Sequence, residues 1–295
     1  MDYILHIMIL IGIYAILSIS LNLMLGYTGI LSIAHASFYS VGAYVAAIFS
    51  LNLDVPFLLI LAIAILCSSI LGVLVGMPSI RIQDDYFAIA TFAFQIIMFS
   101  FLNNLVSITG GPLGLFGIPQ PVIFGIKIST NWQFLFLVGI FCIFTFWLST
   151  RLVNSPIGRI LKAIREDEVF AQSLGKKINT YKVLIVMIGA SLASIAGVLY
   201  ASYISFIDPT SFSVIESIFI ISIVIIGGAG NMWGSIVGAC VLIAMPELLR
   251  FIGLPNSIAP NIKQIIYGLL LVAFMLWRPQ GLLGQYAFYR NIEKK

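Results

Sequence analysis

Residues 26–44 read GYTGILSIAHASFYSVGAY. In this run Gly26, Gly29, Gly42, Thr28, Ser32, Ser37, Ser40 and His35 interrupt a stretch that is otherwise apolar enough for lipid. A helix facing hydrocarbon has no use for so many polar and small residues. Glycine permits close backbone approach or a helix break, and the freed amides and carbonyls can stay at membrane depth only where they meet protein or line a watery cavity. The segment therefore reads as part of a translocation path, with bulk at Gly42 expected to block passage. Its glycines also allow a second reading, a small-residue helix interface.

The surrounding composition decides the solvent. Of 295 residues 61% are hydrophobic and only 9% charged, where a soluble domain is about 45–50% apolar and about 25% charged. With a mean hydropathy of +1.11 there is too little polar residue to cover a water-facing surface, so lipid must surround most of the chain. The net charge of +4 does not point to nucleic acid, because the Lys and Arg residues lie in a few short loops. No Lys or Arg precedes Arg81, so the first apolar run lacks the basic start of a cleaved signal and reads as a membrane helix. Cys67, Cys142 and Cys240 sit singly in apolar runs, without the paired spacing of a metal or redox site.

A crossing needs about 20 apolar residues. Runs of that kind occur near 4–25, 30–51, 56–77, 86–102, 133–150, 183–203, 215–229, 232–252 and 262–277. The fold class is thus an all-α, polytopic membrane helix bundle of about nine spans, a single permease domain over 1–295, with 30–51 and 215–229 as candidates for broken or re-entrant helices. Seven of the 15 Lys and Arg residues lie between Arg151 and Lys182, which marks that loop as cytoplasmic. Four runs follow it, so the basic tail with Arg278, Arg290, Lys294 and Lys295 returns to the same side. By the same count Arg81 lies inside and residues 103–132 outside, with Arg250 and Lys263 in mild disagreement.

A second Gly-rich segment, GGAGNMWGSIVGACV at 227–241, shares two features with the first. One is the Gly-x-x-Gly step, Gly26 and Gly29 against Gly227 and Gly230; the other is Val-Gly-Ala-x-Val, at 41–45 and 237–241. Matched Gly-interrupted helices in two halves of a chain point to an internal repeat and a transporter's central site. Ionisable residues within spans are costly and become candidates by default. Here they are Glu216, His35 and Glu247, the last able to pair with Arg250. The candidate path is accordingly Gly26, Gly29, Ser32, His35, Ser37, Gly42, Glu216, Gly227, Gly228 and Gly230. So few acids give no proton relay. Nor is there a phosphate-binding loop, since Phe170 stands five residues before Gly175, or any nucleophile, paired-carboxylate or metal-ligand pattern. Transport without chemistry remains, with no cofactor and no metal.

The loop 151–182 carries more than charge. Ser155 is placed to cap a helix with Pro156 at its first position, and Gly175 to end one. Ile157, Ile160, Leu161, Ile164, Ala171 and Leu174 recur at helical spacing, opposite Arg159, Lys162, Arg165, Glu166 and Asp167. That pattern fits a docking element for a soluble partner, whereas a loop serving topology alone needs only its charge.

The chain also resembles the permease subunit family of branched-chain amino acid ABC importers, of the LivM and LivH type and closer to LivM. The resemblance runs in order through LNLMLGYTGILSIAHASFYSVGAY, RIQDDYFAIATFAF, ITGGPLGLFGIPQP (108–121), SPIGRILKAIREDEVFAQSLG (155–175), ASIAGVLYASYISFIDPTSFSVIESI, IIGGAGNMWGSIVGA and RPQGL (278–282). It implies a partner permease of LivH type, two cytoplasmic ATPases, and an extracytoplasmic binding protein that delivers Leu, Ile or Val. It also implies an ATPase-docking role, in the manner of an EAA loop, for Gly158, Arg159, Arg165, Glu166 and Gly175. Permeases for urea and short amides share much of this pattern, and an ion-coupled carrier or a channel is the alternative from another class.

Overall fold

The computed structural model describes residues 2–53, 55–80, 84–123, 125–250, 259–278 and 280–284. They form α1 (Asp2–Thr28), α2 (His35–Asn52), α3 (Phe57–Gly76), α4 (Asp84–Asn104), the single turn α5 (Val106–Thr109), α6 (Asn131–Val153), α7 (Pro156–Glu166), α8 (Glu168–Ser173), α9 (Ile178–Ile204), α10 (Val214–Gly227), α11 (Met232–Arg250) and α12 (Ala259–Trp277). Four two-residue strands, β1 (Leu115–Phe116), β2 (Val122–Ile123), β3 (Ile126–Lys127) and β4 (Phe206–Ile207), pair as β1 with β4 and β2 with β3. Arg81, Arg290, Lys294 and Lys295 lie outside the described residues, as do the side chains of Glu247, Arg250 and Lys263.

The long helices are apolar on nearly every face, as lipid requires. Among the described residues five are long and apolar enough to cross a membrane: α1, α3, α4 from Tyr86, α6 and α9. The α10–α11 pair, bent by 118° at its break, makes a sixth if counted as one span. This is fewer than the nine apolar runs. Part of the difference lies at the two flagged runs: residues 29–34 are unwound, so α2 begins only at His35 and carries His35, Ser37 and Ser40 within its 18 residues, while α10 stops at Gly227 after 14.

The bundle is built around α1 and α9. Their most apolar windows are 56% and 67% buried, against 33%, 22% and 28% for α3, α4 and α6. Those three turn Leu66, Ile70, Ile89, Ile97, Phe136 and Ile143 outward. α3 runs antiparallel to α9 along a seam of small residues, where Ser68 Oγ donates to the Ala190 carbonyl at 2.7 Å and Gly76 lies against Val183. α9 climbs from α8 to β4, and 27 residues at 1.5 Å rise separate its ends by about 40 Å. One end of the bundle thus carries α7 and α8 and the other the paired strands. The C-terminal turn lies at the α10 terminus, where the Leu282 and Leu283 amides donate to the Ile226 and Gly227 carbonyls at 2.8 and 3.0 Å. This explains the RPQGL segment locally, since it satisfies helix-end carbonyls at a break.

Gly42 faces α9. A Cβ there would overlap the Ser194 carbonyl, and one at Gly197 would overlap the Tyr39 carbonyl. Bulk at Gly42 therefore has a different expected consequence from simple obstruction. Overpacking costs about 1–3 kcal/mol or more, and Gly42→Leu should sharply lower the yield of monodisperse permease on size-exclusion chromatography, while Gly139→Leu, at a glycine with open space around it, should leave the yield unchanged.

Candidate functional site

An α-helix begins with four amides that have no partner within it, and in lipid these cannot be left to water. α2 starts at His35 with Ala34 at its cap position and no side-chain cap of its own. Its neighbours supply acceptors for Ala36 and Ser37, the latter amide also donating to the Ala34 carbonyl at 3.0 Å, and for the Ile33 amide in the unwound segment before the helix. Thr91 Oγ1 on α4 accepts from the Ile33 amide at 3.0 Å. Ser217 Oγ on α10 accepts from the Ala36 amide at 3.0 Å. Gln95 Oε1 on α4 accepts from the Ser37 amide at 2.9 Å and from Ser37 Oγ at 2.6 Å. The Gln95 carboxamide then turns its Nε2 to the Phe212 carbonyl at 2.7 Å, tying in the irregular segment before α10. His35 Nε2 lies 2.7 Å from Ser20 Oγ on α1, and Ser32 Oγ accepts from the Ala34 amide. Every one of these side chains is buried.

The second break is satisfied from α1. Asn22 Oδ1 accepts from the Gly230 amide at 2.9 Å, while its Nδ2 donates to the Asn231 carbonyl at 2.8 Å and to Ser235 Oγ at 2.7 Å. Gly26, one turn along α1, makes this approach feasible. A Cβ at that position would overlap Asn22 Oδ1 and come 2.5 Å from the Gly230 nitrogen. The two Gly-x-x-Gly steps, far apart in sequence, are thus in direct contact through Gly26 and Gly230.

The remaining candidates distribute around these two breaks. Glu216, in the first turn of α10, accepts from Tyr14 Oη at 2.6 Å; it neighbours Ser217 but is directed to α1. Gly227 packs on Gly234 of α11, and Gly228 lies against Gly284 of the C-terminal turn. Gly42 faces α9, away from both breaks. Gly29 has φ +81° and lies against Arg165 of α7, so it belongs equally to the first break and to the docking segment.

That segment folds as two short helices meeting at Asp167. Ser155 Oγ accepts from the Gly158 amide and Pro156 holds the first position of α7; Asp167 Oδ1 caps α8 by accepting from the Phe170 amide at 2.9 Å; Gly175 has φ +74° after the last turn. The apolar stripe divides. Leu161, Ile164 and Ala171 bury inward, and Gly158 lets α7 fold tightly onto the end of α6, because a Cβ there would overlap the Val153 carbonyl. Arg159 and Glu166 are exposed, while Val169, Phe170 and Leu174 stand out at 76%, 62% and 61% exposure. Arg165 turns inward, its Nη1 donating to the Leu25 carbonyl at 3.4 Å. An ion pair from the buried Lys182 Nζ to the exposed Glu168 carboxylate, 2.7 Å, fastens α8 to the start of α9.

Asn22, Thr91, Gln95, Ser217 and Ser235 hold the breaks, yet none is a glycine or an ionisable residue of the kind the sequence reading takes as a candidate, although all but Gln95 fall within the stretches that carry the family resemblance. A usable signal existed. Asn22 and Gln95 are carboxamides deep within apolar runs, which in lipid must find partners.

Each such bond in a membrane has a net worth of about 0.6 kcal/mol, up to about 1.7, but stranding a buried backbone group costs about 1–3 kcal/mol. Asn22→Leu and Gln95→Leu should each lower the thermal unfolding midpoint of the detergent-purified permease by several degrees, at roughly 2–4 °C per kcal/mol for a chain of this size. Ile97→Ala, on the outward face of the same helix as Gln95, should shift it far less. Equal shifts would mean that the breaks do not depend on these side chains.

Comparison with known proteins gives a consistent result. The family model described as branched-chain amino acid transport system / permease component matches residues 3–275. The high-affinity branched-chain amino acid transport system permease protein LivM of Escherichia coli is 34% identical over 294 residues, covering 92% of this chain and 68% of the relative. A probable branched-chain amino acid transport permease protein LivM of Methanocaldococcus jannaschii is 27% identical, covering 96% and 94%. The LivH permease protein of Escherichia coli is 26% identical, covering 92% and 91%. No solved structure matches. The matched length, the apolar helices and the paired Gly-rich breaks agree: the chain is a multi-pass membrane protein and belongs to the branched-chain amino acid transport system permease family.

Proposed function

We propose that the chain is a transmembrane permease subunit of an ATP-binding-cassette importer and forms part of the path by which Leu, Ile and Val cross the cytoplasmic membrane. The observation that supports it best is the meeting of two Gly-rich helix breaks beside a short amphipathic helix pair, in a chain that belongs to this permease family. The permease performs no chemistry. Its partners are a LivH-like permease, two cytoplasmic ATPases docked on residues 151–182, and an extracytoplasmic binding protein. In the docking segment Arg159 and Glu166 present charge, Val169, Phe170 and Leu174 present apolar surface, and Gly158 and Gly175 shape the corners. In the path, the segments around Gly26, Gly29, Ser32, His35 and Ser37, with Glu216 and 227–230, offer small and hydroxyl groups that suit weak, reversible contacts.

The topology has support from the direction of the helices. α3 opposes α9, α1 ends beside α7, and the C-terminal turn meets the end of α10 that adjoins Gly26. With α2 and α10 counted as the helical parts of crossings completed by unwound chain, about nine crossings bring the 151–182 loop and the C-terminus to the cytoplasmic side.

Two measurements test this. Single cysteines at Leu115 and Lys177, at opposite ends of the bundle, should react with an impermeant thiol reagent on intact cells only at position 115; labelling only at 177 would invert the topology. Uptake of labelled leucine by the reconstituted complex should require ATP and exceed that of labelled urea by at least an order of magnitude. Urea uptake with no leucine uptake would transfer the subunit to amide import, and uptake without ATPases would indicate a carrier or channel.

A further inference from the structure

We propose that Arg165 is a positioning residue that transmits movement of the α7–α8 segment to both helix breaks, and is not itself a contact to the ATPase. The inference rests on reading α7–α8 as the docking element. Of the charged residues in that segment, Arg159 and Glu166 are exposed, whereas Arg165 is half-buried and turned toward the membrane helices.

What it meets is the end of α1. The last carbonyls of a helix have no partner within it and carry the negative end of its dipole. α1 has no basic residue in its last turn, and Arg165 brings a guanidinium there from another helix, donating to the Leu25 carbonyl. The stem packs as closely as the head. The Cβ position of Gly29 is 3.3 Å from Arg165 Cγ and 3.9 Å from both its Cα and its Cβ, so a side chain at 29 would compete with the arginine stem. Lys162, one turn earlier on α7, lies 5.7 Å from the centre of the Tyr27 ring, a second contact between the same two elements.

From this contact two routes diverge. Three residues before Leu25, Asn22 holds the second break through Gly230, Asn231 and Ser235. Gly29 opens the first break, whose far end is held by Thr91, Gln95 and Ser217. A displacement of α7 therefore carries the last turn of α1 with it and loads both breaks together. The outward Val169, Phe170 and Leu174 remain to receive the partner.

In the assembled importer, co-purification of the ATPases with the permease reports docking, and leucine transported per ATP hydrolysed reports transmission. Arg165→Gln should leave co-purification within about twofold and lower transport per ATP tenfold or more. Arg165→Lys, which keeps a cation able to reach a helix-end carbonyl, should restore most of it. Phe170→Glu should instead abolish co-purification. Loss of co-purification with Arg165→Gln, in proportion to lost uptake, would overturn the proposal and make Arg165 an ATPase contact, with docking intact as a reading. Retained co-purification with Phe170→Glu and with Val169→Glu would count against that reading of α8. If Arg165→Gln fails to reach the membrane, Arg165→Met decides, since it keeps an aliphatic stem against Gly29 and removes only the guanidinium donor. Transport per ATP should then fall tenfold or more with co-purification retained; unchanged transport per ATP would contradict transmission through this contact.

Discussion

A backbone amide or carbonyl in lipid must be bonded to protein, and the architecture here follows from that constraint at two places where helices stop short. Water would satisfy such groups at the surface of a soluble fold. In this chain Gln95 and Asn22 take its place, each a single carboxamide whose oxygen accepts from a backbone amide and whose nitrogen donates to a backbone carbonyl. Gln95 joins α2, α4 and the segment before α10; Asn22 joins α1 to the α10–α11 turn. The long helices α1 and α9 form the frame, and small residues along α2, α3 and α9 let them approach closely enough to hold the breaks in register.

This arrangement suits a transporter energetically. A continuous helix resists rearrangement because its bonds are cooperative. A break held by a few side-chain bonds, each of net worth about 0.6 and at most about 1.7 kcal/mol in a membrane, can exchange partners for a free energy that a ligand with higher affinity for one of the two states can supply. The Gly26–Gly230 contact means that neither break moves without consequence for the other, and Arg165 lies against the one helix end that touches both.

Much of the fold was legible because hydropathy in lipid is a strong signal: each apolar run is a helix, and the two runs flagged by glycine are the two that stop short. The start of α7 and the stop after α8 were legible for a different reason, since Ser155, Pro156 and Gly175 act on their own neighbours in sequence, whereas Asp167, which caps α8, reads as one more charge on the outer face. The polar seam was not. Thr91, Gln95 and Ser217 act on the backbone of other helices, and no local pattern distinguishes a serine that caps a distant helix from one that bonds its own preceding turn, as Ser222 does with Ile218. Arg165 illustrates the same limit, because a charged residue on an amphipathic helix reads as solvent-facing until the neighbouring helix end is placed. Gly42 belongs to the seam with α9 that its alternative reading describes, whereas Gly26 serves the approach of the two breaks.

The central claim, that protein side chains satisfy the backbone at both breaks, is tested most directly by residue-resolved amide hydrogen exchange of the assembled importer at rest. The amides of Ile33, Ala36, Ser37 and Gly230 should exchange as slowly as those in the middle of α9, and Asn22→Ala should accelerate Gly230 selectively. Fast exchange at these four amides in the unaltered protein, comparable with the exposed residues 172–177, would contradict the account and place water where the carboxamides are assigned.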